Sequence, residues 1–140
     1  MILLGDLCCD YMQEDILRLF QTHRDVIVAV RGNCDRADSH ITLGFPMPLY
    51  QVFDISGKTV LVTHGHLFDE SFLPDDVRLD ILLSGHTHVP RCETVNGILC
   101  CNPGSISFPR AQSHQGYMTL EDNCFHWMNL HGEEYMKYET

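Results

Sequence analysis

Two His-x-His pairs, His64-Gly65-His66 and His86-Thr87-His88, are the sharpest chemical feature of this 140-residue chain. Alternate residues of an extended segment point to the same side, so each pair can present two imidazoles to one site. An aspartate, Asp6, and an asparagine, Asn33, stand at comparable places, each shortly after an apolar run. Imidazole nitrogens with carboxylate and amide oxygens, and no thiolate, form a donor set that suits Mn, Fe, Co, Ni or Zn. Such a set belongs to catalytic sites more than to structural zinc sites. The seven cysteines include no Cys-x-x-Cys pair, which argues further against a zinc ribbon.

These residues can meet only if separate loops converge. Five apolar runs end in polar clusters: Met1 to Leu4 before Gly5-Asp6, Val26 to Val30 before Gly32-Asn33-Cys34-Asp35, Val60 to Val62 before the first histidine pair, Ile81 to Leu83 before the second, and Ile98 to Leu99 before Asn102-Pro103-Gly104-Ser105. Each reads as a buried strand, and in open α/β sheets ligands sit beyond the carboxyl ends of strands. Between the first two runs, Asp10 can cap a helix with Met12, Ile16, Leu19 and Phe20 at helical spacing, which completes a βαβ unit. Residues 36 to 49 hold Pro46 and Pro48 and read as irregular. Hairpins are expected at Ser56-Gly57-Lys58, between Tyr50 to Ile55 and Thr59 to Val62, and at Asn96-Gly97. Three more strands are expected at Tyr117 to Leu120, Phe125 to Leu130 and Glu134 to Tyr138, giving mixed sheets packed together with flanking helices.

Composition sets the bounds. With 44% apolar and 20% charged residues the chain reads as a single globular domain, residues 1 to 140. Nine basic against 19 acidic side chains give a formal charge of −10, which disfavours non-specific nucleic-acid binding. No apolar run approaches the roughly 20 residues of a membrane span, and no basic leader precedes a cleavage site. An odd cysteine number with neighbours Cys8/Cys9 and Cys100/Cys101 reads as reduced thiols, so a cytoplasmic protein is expected.

The motifs GD, GNCD, THGH and GHTH, in this order from Gly5 to about Ser107 and followed by Asn102-Pro-Gly-Ser105, resemble those of the calcineurin-like metallophosphoesterases, particularly the small phosphodiesterases of the YfcE type. The resemblance implies an α/β fold, a four-layer αββα sandwich of two mixed sheets between helices, with two divalent metals at the strand ends. It implies that Asp6 bridges both metals, that Asn33, His64 and His86 complete the second, and that His88 binds the first. It makes Asp10 a supporting acceptor or helix cap and lets His66 touch the substrate phosphate or orient its neighbours. Asn102 and Ser105 would be turn formers lining the pocket. Catalysis is thus expected from Asp6, Asn33 and His66. Many relatives carry a histidine where Cys34 stands. A neutral thiol, with an ordinary pKa of about 8.5, donates a proton weakly, so Cys34 reads as a pocket residue and diesters with good leaving groups are the expected substrates.

The family's opening strand, with its Asp-x-His motif, and the helix after it have no counterpart in the sequence. The first metal would keep only Asp6 and His88, while the second keeps all four ligands, so one ion rather than two is a second expectation. The chain therefore reads as an N-terminally truncated member whose exposed sheet edge favours a homo-oligomer. The leading expectation is a metal-dependent phosphodiesterase, with manganese foremost among the metals. The alternative is a non-catalytic interaction scaffold on the same fold, comparable to the retromer subunit family.

Overall fold

The computed structural model describes residues 1–74 and 78–140. Among the described residues, ten strands and two α-helices follow in the order β1 (Ile2–Leu3), α1 (Glu14–Thr22), β2 (Val28–Ala29), α2 (Ser39–Leu43), β3 (Tyr50–Ile55), β4 (Lys58–Thr63), β5 (Ile81–Leu83), β6 (Arg91–Val95), β7 (Ile98–Asn102), β8 (Gly116–Glu121), β9 (Cys124–Asn129) and β10 (Glu134–Glu139). The largest sheet runs β3-β4-β5-β7-β6 and is mixed: β4, β5 and β7 are parallel, and the outer strands are antiparallel to their neighbours. The remaining strands, expected in a second mixed sheet, form two separate sets: the parallel pair β1-β2 and the antiparallel set β10-β9-β8.

The central strands are apolar without alternation because both faces are covered. Val60, Val62, Ile81, Leu83, Leu99 and Cys101 point toward Phe125 and Trp127 of β9 and form the core between the two larger sheets. Leu61, Leu82 and Cys100 point the other way and pack with Leu79. The Trp127 indole N–H donates to the Asn102 carbonyl at 2.7 Å, tying the sheets together at the end of β7. Two-residue turns with both residues at positive φ close the hairpins at Ser56-Gly57, Asn96-Gly97 and Asp122-Asn123, as the right-handed strand twist requires.

Helix content is low, and several local expectations need correction. Asp10 does not cap α1. It lies in a 3-10 turn, Cys9–Tyr11, because Met12 and Gln13 return to extended backbone and Gln13 takes the cap position. Starting at Glu14 turns Leu17 and Phe20 inward, with Phe20 against Phe45 at 6.3 Å between ring centroids, and leaves Ile16 and Leu19 exposed. Residues 36 to 49 are not wholly irregular: α2 forms one turn, buries Leu43 and ends at Gly44, whose φ of 82° supplies the left-handed stop. The apolar run at Val26 begins in a 3-10 turn with Val26 exposed, so β2 is shorter than the run. No helix among the described residues is long and apolar enough to cross a membrane.

Candidate metal centre

Both histidine pairs lie in bends beyond β4 and β5 rather than in extended backbone. His86 and His88 each have φ of 61°, and Gly65 has φ of 103°. The bends aim the rings individually. His64, 2% exposed, is the most enclosed of them. Its Nδ1 lies 2.5 Å from the Leu4 carbonyl and so carries the hydrogen, which leaves the Nε2 lone pair facing the site. That atom is 3.2 Å from Asp6 Oδ2 and 3.1 Å from Asn33 Oδ1. The Asn33 amide nitrogen lies 3.4 Å from Cys34 Sγ, which turns the amide oxygen inward. His86 joins from the second bend: ligand atoms of Asp6, His64 and His86 all lie within 4.8 Å of one another.

Lone pairs of a carboxylate, an amide oxygen and an imidazole facing each other across about 3 Å repel unless positive charge sits among them. The donor set therefore fits a divalent cation, and both nitrogen and oxygen donors are of the kind such ions take.

The backbone allows this approach only without side chains at two positions. A Cβ on Gly32 would lie 2.0 Å from Asp6 Oδ1, and one on Gly5 would lie 2.6 Å from the Gly32 nitrogen. Asp6 itself has φ of 57°, an uncommon conformation for a residue with a side chain. Asp35 holds it there: Oδ2 accepts the Asp6 N–H at 2.7 Å and the Gly32 N–H at 2.8 Å, while Oδ1 accepts the Cys8 N–H at 2.9 Å. No role for Asp35 followed from the sequence, although it closes the GNCD motif. Its signal would have been the need for an acceptor beside two glycine-bearing loops.

The other expected site residues divide. His66 is adjacent, its ring 5.2 Å from that of His64, with a buried Nδ1 that has no hydrogen-bond partner among the described residues. Burial first, then repulsion from His64 and His86, pushes its pKa down and favours the neutral ring. His88 stands outside the close cluster. Its Nδ1 donates to the Phe108 carbonyl at 2.8 Å, and its Nε2 makes no hydrogen bond among the described residues. Asn102 is buried and braces the second bend instead of lining an opening. Its amide nitrogen donates to the Gly85 carbonyl at 2.6 Å and Thr87 Oγ1 at 3.1 Å, and its Oδ1 accepts the Gly104 N–H. Ser105 Oγ accepts the Phe108 N–H at 3.0 Å and so secures the carbonyl that orients His88. Asp10 sits apart at the surface, 3.6 Å from Arg36 Nε. The exposed Cys34 borders the cluster, its N–H donating to Asp6 Oδ1 at 2.8 Å and its thiol pKa raised chiefly by the Asp6 charge.

Residues 1–123 match the model of the calcineurin-like phosphoesterase superfamily domain. The chain belongs to that superfamily. Phosphodiesterase YfcE of Escherichia coli K12 is 38% identical over 99 residues, covering 69% of this chain and 53% of its own length. The probable metallophosphoesterase YsnB of Bacillus subtilis is 32% identical over 104 residues, 68% of this chain and 57% of that protein. This superfamily member thus spans about half the length of the curated relatives it matches. The solved structure of the E. coli phosphoesterase Yfce superposes with a TM-score of 0.87 at 26% identity, covering 99% of this chain and 82% of that one. Vacuolar protein sorting 29 from Cryptosporidium parvum shares the fold, with a TM-score of 0.57 at 22% identity, over 97% of this chain and 79% of that one.

Proposed function

We propose that this calcineurin-like phosphoesterase is a metal-dependent phosphodiesterase acting on small phosphodiesters with good leaving groups. The observation that carries this reading is the convergence of Asp6, Asn33 and His64 lone pairs at 3.1 and 3.2 Å, with His86 completing the enclosure. Asp6, Asn33, His64 and His86 would hold one divalent cation, manganese foremost, with zinc, nickel, cobalt or iron as alternatives. His88, through its Nε2, together with Asp6 would hold a second where two are taken up. Bound cations of this type supply an acidified water and polarise phosphoryl oxygens for in-line attack.

The chain's own residues do the rest. Leu4 fixes the tautomer of His64, so that its lone pair stays directed at the site. His66, with its ring neutral, donates one imidazole N–H to an oxygen of the substrate phosphate and holds it against the cluster. Cys34 stays a neutral thiol beside Asp6 and offers little acid assistance, which favours leaving groups that depart without a proton. The acidic surface supports a small substrate over a nucleic acid polymer bound non-specifically. Free thiols at all seven cysteines suit a cytoplasmic setting. Self-association belongs to the same reading, since β1 is hydrogen-bonded only to β2 among the described strands. A light-scattering mass of one chain at all concentrations would count against it.

A second reading is supported by the fold likeness to vacuolar protein sorting 29 and by His88 standing apart from the cluster: a protein-interaction scaffold that has no turnover. Metal content measured together with hydrolysis of bis(p-nitrophenyl) phosphate under added Mn²⁺ separates the readings. Metal with turnover is the expected result. Metal alone would indicate a binding protein, and neither would favour the scaffold.

A further inference from the structure

Cys8 and Cys34 lie on the two loops that carry Asp6 and Asn33, and neither holds a cation in the scheme above. The loops are clasped crosswise. The Cys34 N–H donates to Asp6 Oδ1 at 2.8 Å, and the Cys8 N–H donates to Asp35 Oδ1 at 2.9 Å. This reciprocal arrangement brings Cys8 Sγ to 4.0 Å from the Cys34 carbonyl, so the two cysteines lie beside each other on the clasped loops. Cys34 is exposed and Cys8 half-buried, so reagents can reach the pair. Residues 26 apart in sequence are thus held side by side by backbone bonds that do not depend on the thiols.

A second pair provides the contrast. Cys92 and Cys101 stand opposite each other across β6 and β7, but Cys101 is sealed in the core at 1% exposure, and burial pushes its thiol up. No exchange partner can approach its sulfur without opening the sheet.

We propose that Cys8 and Cys34 form a reversible intramolecular disulfide that ties the Asp6 loop to the Asn33 loop at the edge of the metal centre. With glutathione disulfide as oxidant, the sulfur of one cysteine attacks and releases one glutathione. The other cysteine then attacks the mixed disulfide, forming the protein S–S bond and releasing the second glutathione. The two thiol protons leave on the two glutathione molecules, so the protein is oxidised by two electrons and one glutathione disulfide is reduced. Uncatalysed disulfide exchange takes minutes to hours.

The test is therefore an equilibrium one. The full chain is incubated to constant composition in a glutathione/glutathione disulfide buffer, acid-quenched, alkylated and read by intact mass and peptide mapping. The expected result is an intact mass carrying five alkyl groups where the dithiothreitol-reduced chain carries seven, and a linked Cys8–Cys34 peptide that dithiothreitol abolishes. Cys34→Ser, an exposed and conservative change checked by circular dichroism, and Cys8→Ser should each eliminate the linkage. A glutathione adduct on Cys34 without the linkage, pairing among other cysteines, or seven thiols retained at equilibrium would overturn the proposal.

Discussion

The two histidine bends follow neighbouring parallel strands, β4 and β5, yet they are built to different standards. His64 is enclosed, with its Nδ1 on the Leu4 carbonyl and its Nε2 aimed at two oxygens. Two glycines whose Cβ atoms would clash, and the triple acceptor Asp35, hold the facing loops in place. His88 has a single tether to the Phe108 carbonyl, itself held by Ser105, and lies outside the cluster. One side of the centre is pre-organised, and the other is oriented only through a loop. The lesson is that apparent symmetry of the His-x-His motifs conceals unequal holding power, because ligand strength depends on the atoms that fix each ring.

Substitutions sharpen that contrast. Replacing the ligand at the rigid side should have the largest effect: Asp6→Asn is expected to lower Mn²⁺ affinity and any diesterase rate by at least about 100-fold, the upper end of what loss of a mere supporting residue does. Titration calorimetry and initial rates measure both. Next comes the backbone. Gly32→Ala should cost about 1–3 kcal/mol in denaturant unfolding, since the added Cβ meets Asp6 Oδ1 at 2.0 Å. A variant as stable as the parent would show that the loops are not fixed as described. Asp35→Asn keeps the size but leaves one acceptor oxygen for three N–H donors, so Mn²⁺ affinity is expected to fall by ~10–100-fold. At the looser side, His88→Ala should weaken binding of the first ion by about 10-fold or less. Equal losses for His88→Ala and Asp6→Asn would erase the proposed distinction.

The smallest effect concerns the loop that follows His66. Arg91 donates to Glu70 at 2.7 Å and holds its carboxyl below the usual carboxylate range. A depressed folded-state pKa gives stability that is present above the unfolded pKa and is lost as pH falls through the folded one. Glu70→Gln should therefore remove part of the acid-side loss of stability, up to about 1 kcal/mol for a pair this exposed, read as a smaller drop in melting temperature on acidification, and leave the neutral-pH activity nearly unchanged.

Much of this was legible in the sequence, for physical reasons. Apolar runs buried on both faces fixed the central strands, and Asn96-Gly97 announced its hairpin because both residues tolerate positive φ. Residue type and strand-end position marked Asp6, Asn33 and the two histidine pairs as candidate donors, and the choice of Asp6, Asn33, His64 and His86 for one ion was implied only by the family resemblance. What stayed hidden is tertiary. The bends beyond β4 and β5 depart from extended geometry at Gly65, His86 and His88, so alternation could not place the imidazoles individually. Asp10 resembled a cap, but the extended backbone at Met12 separates it from α1. Asp35 acts through three backbone N–H groups drawn from two loops, a convergence that spacing along one chain does not reveal.

The central claim is that one cation lies among Asp6, Asn33, His64 and His86. A crystal grown with manganese and measured near the metal's absorption edge tests it most directly. An anomalous peak is expected at bonding distance, ~2.0–2.3 Å, from the Asp6 carboxylate, Asn33 Oδ1 and the His64 and His86 nitrogens. Diffraction showing no peak there, or the four side chains turned away from one another around an ion-free space, would contradict the account.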